Sequence, residues 1–271
     1  MKSSSIFNLI LFSLLLCSCS MEATQDEADQ LFTEGQFEAA AVKYDRVIAL
    51  EPDNSFAIYN RGLAREKIKD YLNASDDFTY LIKHKKYTRL AYLGRARCSF
   101  EQQIYKSVVM DMNQLLLRDE DDVDALLLRG MAYVKLYKNN KALDDLDFVI
   151  DKQPDNIQAL ISRGAALARG GQGAYAIEDF DRAIKISPNL PVIYFNKGVV
   201  FFTYENWGAA MENFEKALEL DPNYAEAITR KGMTKLNWSK HSKAEACVDF
   251  KKAQKMNDEL AVEYVKEFCS N

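Results

Sequence analysis

The sequence repeats itself every 34 residues, and no other feature limits its fold as much. With repeats started at Met21, Ser55, Arg89, Val123, Ile157, Pro191 and Ala225, small residues fall into fixed columns. The eighth position reads Ala28, Gly62, Ala96, Gly130, Gly164, Gly198 and Gly232, and the twentieth reads Ala40, Ala74, Val108, Ala142, Ala176, Ala210 and Ala244. The twenty-fourth carries Tyr44, Phe78, Met112, Leu146, Phe180 and Phe214, and the thirty-second places Pro52, Pro154, Pro188 and Pro222. Two small residues let a pair of antiparallel helices approach closely, and the large apolar residue fills the space beside them. Proline cannot continue the second helix, so it separates one hairpin from the next. Each hairpin leaves an apolar side that its neighbour must cover. The period-two alternation of a half-buried strand is absent. The expected fold is therefore all-α: an alpha-alpha superhelix of seven helix-turn-helix repeats within residues 19–258, closed by a capping helix within 259–271, over Glu259 to Phe268.

These columns resemble the tetratricopeptide repeat. The run Tyr194-Phe195-Asn196-Lys197-Gly198, then Trp207, Ala210, Phe214, Ala217 and Leu220-Asp221-Pro222, resembles it closely, and the likeness extends from residue 21 to about residue 258. Lys86 and Glu120 stand where two repeats lack the terminal proline. The seventh repeat carries two extra residues near Trp238–His241, which shift Ala246, Phe250 and Ala253 into the core slots. A longer first helix or a longer turn is expected there.

The first residues read differently. Lys2 precedes an apolar run, Ile6 to Leu16, too short for a lone membrane span but suited to a signal-peptide core. Leu16-Cys17-Ser18-Cys19 resembles a bacterial lipobox, with residues 1–18 as signal peptide and Cys19 as the lipidated residue. An ordinary secretory signal cut near Ser18, or a short anchor, is the alternative. Several acyl (palmitate-type) chains on Cys19 would hold the protein at a membrane. Ser20 stands where an Asp would signal inner-membrane retention, so the resemblance implies the outer membrane, facing the periplasm or the cell surface. Export would permit disulfides. Cys247 and Cys269 flank the turn near Asp258 by eleven residues on each side, so they can form a bond, or remain two free thiols facing different ways. Cys98 reads as a small buried hydrophobe.

A charge column accompanies the small-residue columns. Position 7 reads Glu27, Arg61, Arg95, Arg129, Arg163, Lys197 and Lys231, while position 23 reads Lys43, Asp77, Asp111, Asp145, Asp179, Asn213 and, after the two-residue shift, Asp249. The sign swap in the first repeat argues for pairing inside each repeat, as a structural ladder rather than a basic stripe for acidic partners. Two turns of opposite charge, Lys83-His84-Lys85-Lys86 and Asp119-Glu120-Asp121-Asp122, can attract each other or stay solvated.

The resemblance implies that first helices line a concave groove. Mapped onto this sequence, the groove positions give Tyr59, Asn60, Leu63, Leu93, Arg97, Leu127, Met131, Ile161, Phe195, Asn196 and Val199. Such a mostly apolar surface suits an amphipathic or extended segment of another protein. No repeat combines Lys at position 5 with Asn at position 9, so the carboxylate clamp of some family members is not expected. With a formal charge of −5, nothing suggests the basic face of a nucleic-acid binder, and no nucleic-acid partner is expected. The two histidines, His84 and His241, belong to no metal or catalytic motif, and Gly170-Gly171-Gln172-Gly173 reads as a flexible turn without a preceding strand. No cofactor, metal or catalysis is expected. The leading function is a non-enzymatic scaffold for envelope proteins or peptides. A glycan or small-molecule module, using Tyr59, Phe100, Phe195 and Phe202, is the alternative.

Overall fold

The structure is a computed structural model, and it describes residues 24–239 and 242–269. Lys2, the apolar run before Cys19, and Cys19 itself lie outside the described residues. The described residues form helices and turns without strands. Seven first helices are α1 (24–33), α3 (Ser55–Lys67), α5 (Thr88–Glu101), α7 (Val123–Lys135), α9 (Ile157–Arg169), α11 (Pro191–Thr203) and α13 (Ala225–Asn237). Their second helices are α2 (Phe37–Leu50), α4 (Tyr71–Lys83), α6 (Tyr105–Leu116), α8 (Asn139–Lys152), α10 (Gly173–Ile186), α12 (Trp207–Leu220) and α14 (Lys243–Gln254), and α15 (Glu259–Phe268) follows. The chain divides into two compact units, one ending at Ala132 and one beginning at Tyr133.

Within each unit, every helix packs on the next in the chain. First helices also touch first helices: α3 meets α5 in the first unit, and α11 meets both α9 and α13 in the second. Second helices do not approach one another to that extent. Each stack therefore bends with its first helices on the inner side.

The small-residue columns make this approach possible. A Cβ at Gly198 would lie 2.7 Å from a ring carbon of Phe214, and one at Gly164 would lie 2.7 Å from Phe180. Phe78 sits between two glycines. A Cβ at Gly62 would stand 3.0 Å from its ring, and one at Gly94 of the following repeat 2.6 Å from it. Tyr44, Phe78, Met112, Leu146, Phe180, Phe214 and Phe250 are all fully buried, as are Ala210 and Ala246. The extra residues of the seventh repeat do not lengthen α13, which has 13 residues like α9 and α11. α13 ends at Asn237, Lys240 and His241 lie outside the described residues, and α14 starts from a capping box between Ser242 and Glu245.

The hairpin turns of the first six repeats use position 15 in the left-handed region. Gly35 and Gly171 sit there at φ +78° and +77°, but so do Lys69, Gln103, Tyr137 and Glu205 at φ 64°, 61°, 57° and 56°. Side chains at such angles cost on the order of 1 kcal/mol each. The glycine turn of the fifth repeat is not a loose one. The Tyr204 hydroxyl donates to the Gly171 carbonyl at 2.9 Å and accepts from the Gly173 amide at 3.2 Å.

The ion-pair ladder forms inside repeats and also between them. Arg95 meets Asp111 at 2.6 Å, Arg163 meets Asp179 at 2.7 Å, and the reversed pair Lys43–Glu27 closes at 2.6 Å. Five position-7 bases, from Arg61 to Lys197, also reach back to position 25 of the preceding repeat. Arg61 takes Asp45, Arg95 takes Thr79, Arg129 takes Asn113 and Arg163 takes Asp147. The guanidinium thus ties one hairpin to the last. Lys197 departs from the pattern: with Asn213 at position 23, it bonds only backwards, to Asp181 at 2.6 Å.

The acidic turn does not pair with the basic one. Asp122 instead takes two bonds from Arg89, at 2.6 and 2.9 Å, while its Oδ1 accepts from the Ala125 amide and caps α7. The cap helix α15 is fastened twice. Asp258 caps it and accepts from the Thr229 hydroxyl at 2.9 Å. Cys247 and Cys269 form a disulfide with Cα atoms 5.6 Å apart, which resolves the alternative left open by their spacing. Tyr264 lies 4.9 Å from the Phe250 ring, so α15 covers the last exposed core face.

Candidate binding groove

In the first unit, the expected groove residues Tyr59, Asn60, Leu63, Leu93, Arg97, Leu127 and Met131 all lie on first helices. Six of them are half-buried and can be reached from outside. Leu93 cannot, because it is buried in the cluster around Met112 and Ala96. Its neighbour Gly94 lets α5 close onto Phe78, which draws position 5 of that repeat inward.

Arg97 is also not a free cation. Its Nε and Nη2 grip both Glu66 oxygens at 2.6 and 2.8 Å, a two-point pair from the third repeat to the second. The Glu66 bond raises the Arg97 pKa further. A ligand carboxylate would have to displace Glu66, so Arg97 acts as a fixed wall rather than a ligand hook.

Residues that the groove mapping passed over complete the patch. Tyr87, in the turn before α5, stacks on Tyr59 with centroids 5.3 Å apart and planes inclined by 8°. Phe56, one turn before Tyr59 on α3, is 40% exposed, and Leu90, three residues beyond Tyr87, is 39% exposed. Both occupy position 2, a groove position whose apolar members the sequence displays. Burial pushes the Tyr59 phenol above its ordinary value, so the ring stays neutral. The first unit therefore presents aromatic and aliphatic side chains beside one neutralised ion pair.

In the second unit, Ile161, Phe195, Asn196 and Val199 are half-buried on α9 and α11. Phe195 repeats the Tyr59 arrangement, with Tyr224 from the next turn 4.9 Å away and Phe214 at 6.0 Å. Further along α11, Phe202 meets Trp207 edge-on at 5.2 Å and lies under Arg230 at 6.0 Å. These surfaces can grip apolar side chains by contact and stacking. Among the described residues no cluster of His, Cys, Asp and Glu could hold a metal ion, and no helix is long and apolar enough to cross a membrane.

Comparison with known proteins matches part of the chain to one repeat family. Residues 127–191 and 191–224 match models of the tetratricopeptide repeat. A tetratricopeptide repeat protein from Parabacteroides merdae superposes with a TM-score of 0.77 at 21% identity, covering 93% of this chain and 99% of that one. YrrB, described as a TPR protein with an unusual peptide-binding site, gives 0.53 at 20% identity, over 69% of this chain and 97% of that one. DnaJ homolog subfamily C member 7 of Mus musculus is 24% identical over 126 residues, which is 45% of this chain and 25% of that protein. The match thus spans a quarter of that relative. Residues 127–224 thus carry tetratricopeptide repeats, and the described residues form an all-α solenoid like those neighbours; such repeats generally scaffold protein interactions and are typically non-enzymatic.

Proposed function

We propose that this chain is a bacterial lipoprotein that holds a segment of an envelope protein against the first-helix face of its repeats. The patch of Phe56, Tyr59, Tyr87 and Leu90 carries the reading. Exposed apolar side chains gathered on a charged protein mark an interaction surface. Their spacing along two adjacent first helices suits an amphipathic helix or an extended peptide, whose side chains they would desolvate. The peptide-binding site ascribed to YrrB lends support by likeness of fold.

The anchor rests on the lipobox-like Leu16-Cys17-Ser18-Cys19, with acyl chains on Cys19 and an outer-membrane address. The Cys247–Cys269 disulfide favours an oxidising compartment over the cytoplasm. The location and the grip are tested separately. Growth with an alkyne-tagged palmitate labels the wild-type chain and not Cys19→Ala; equal labelling of both rejects the anchor. Pull-down from an envelope extract retains a defined partner, and Phe56→Asp with Leu90→Asp loses it. Retention by that variant rejects the groove.

A further inference from the structure

The second-helix side of the stack, away from the groove, carries a wide cleft. Along this face a crevice opens between the second helices of successive repeats, floored by the position-7 side chain. Where arginine fills it, the crevice is small: about 330 Å³ beside Arg95 and about 400 Å³ beside Arg163. In the sixth repeat it reaches about 760 Å³, within the range of ligand sites.

Two departures from the charge columns, the seventh-repeat insertion and one small residue meet there. Lys197 replaces arginine, and Asn213 replaces aspartate, so the cross-tie is lost. The Asn213 amide turns back to the Ala209 carbonyl at 2.8 Å, while Lys197 withdraws to Asp181 at 2.6 Å. Gly208 stands at position 18, where the second repeat carries the exposed Leu72. The insertion in the seventh repeat delivers Trp238, whose ring lies 3.8 Å from where a Gly208 Cβ would be. Departures from a consistent pattern that converge on one spot are the signature of a working site rather than of drift.

The charges of this cleft do not balance. Lys197 is spent on Asp181, and Lys216 on Glu219 at 2.9 Å. Glu212 and Glu215 line the same cleft, exposed, with no ion pair or side-chain hydrogen bond among the described residues. Tyr194, Phe201 and Trp238 line the same cleft, with the Lys197 ammonium 5.9 Å from the Phe201 ring centroid. Unpaired carboxylates beside aromatic rings suit a cation with an apolar stem, since the charge meets the acids and the stem packs on the rings. We propose that this cleft between α10, α11 and α12 docks an arginine- or lysine-bearing segment of a partner polypeptide, as a second interaction surface independent of the groove.

The test uses the full chain in detergent and a fluorescein-labelled nine-residue peptide of alternating arginine and serine. Its counterpart with glutamate for arginine is the control. Fluorescence anisotropy should show salt-sensitive binding of the basic peptide alone. Glu212→Gln with Glu215→Gln should weaken it about tenfold, the sum of two exposed charge pairs. Gly208→Leu, which fills the cleft with a residue tolerated at that position in the second repeat, should abolish it with unchanged melting. In a Trp207→Phe background Trp238 is the one remaining tryptophan, and its emission should change on binding. Phe56→Asp with Leu90→Asp should leave this binding intact, which separates failure here from failure of the groove. No binding of the basic peptide, or equal binding by both cleft variants, overturns the proposal.

Discussion

Adding one methyl group at two glycines ten residues apart should change stability in opposite directions. Gly198 lies in α11 with a Cβ position 2.7, 2.8 and 3.2 Å from three carbons of the Phe214 ring. Carbon atoms settle near 3.5 Å or beyond, so the ring or the helix must yield by more than half an ångström. Phe214 is fully buried and has no free direction. Overpacking of this kind costs ~1–3 kcal/mol, against ~1 kcal/mol gained because alanine suits a helix better than glycine. Gly198→Ala should therefore destabilise, by up to about 2 kcal/mol. At Gly208, the nearest atom is Trp238 at 3.8 Å, an ordinary contact. Gly208→Ala should stabilise by about 0.5 kcal/mol. Urea unfolding followed by circular dichroism measures both. Equal effects, or a stabilised Gly198→Ala, would refute the claim that the eighth column is glycine because a ring occupies the space.

The remaining expectations concern charges, turns and thiols. Asp179→Asn leaves Arg163 without its buried partner and should cost about 3 kcal/mol, whereas Asp147→Asn, whose side chain is 61% exposed, should cost under about 1 kcal/mol; thermal melts separate them. Gln103→Gly relieves a left-handed side chain at φ 61° and should raise stability by about 0.5–1 kcal/mol in the same melts. Burial pushes the Asp122 carboxyl up, but the Arg89 pair and the α7 amides outweigh it and hold the pKa below its ordinary value. Asp122 therefore lends stability at neutral pH that fades as pH falls below about 4, and Asp122→Asn should flatten that acid limb. Removing the 22-residue Cys247–Cys269 loop closure by Cys→Ser exchange should cost about 3 kcal/mol in repeat seven and the cap. Burial pushes the Cys98 thiol up to about 12, so a thiol reagent should leave it unmodified in the folded chain and react once the chain unfolds.

The fold was legible because helix packing repeats its demands. A ring at position 24 forces a small residue at position 8, and each repeat restates that need. The ladder inside repeats was legible from one sign reversal, Glu27 against Lys43. Its second half was not, because position 25 alternates between Asp45, Thr79, Asn113 and Asp147, and neutral partners leave no charge pattern. The Arg97–Glu66 pair and the Tyr59–Tyr87 stack join residues from different columns, so no column could show them. Leu93 went inward because Gly94 drew its helix closer, a consequence of local geometry that a shared position number hides. The cleft beside Lys197 was written in the sequence as exceptions, whose common location only the folded chain reveals.

The central claim is that a partner lies on the first-helix side of the stack. A photo-crosslinking residue placed at Phe56, and in a separate variant at Val42, which is 54% exposed on the second helix α2, compares the two faces in living cells. The account predicts one defined covalent adduct from position 56 and none of that size from position 42. The same adduct from both positions, or from position 42 alone, would contradict it.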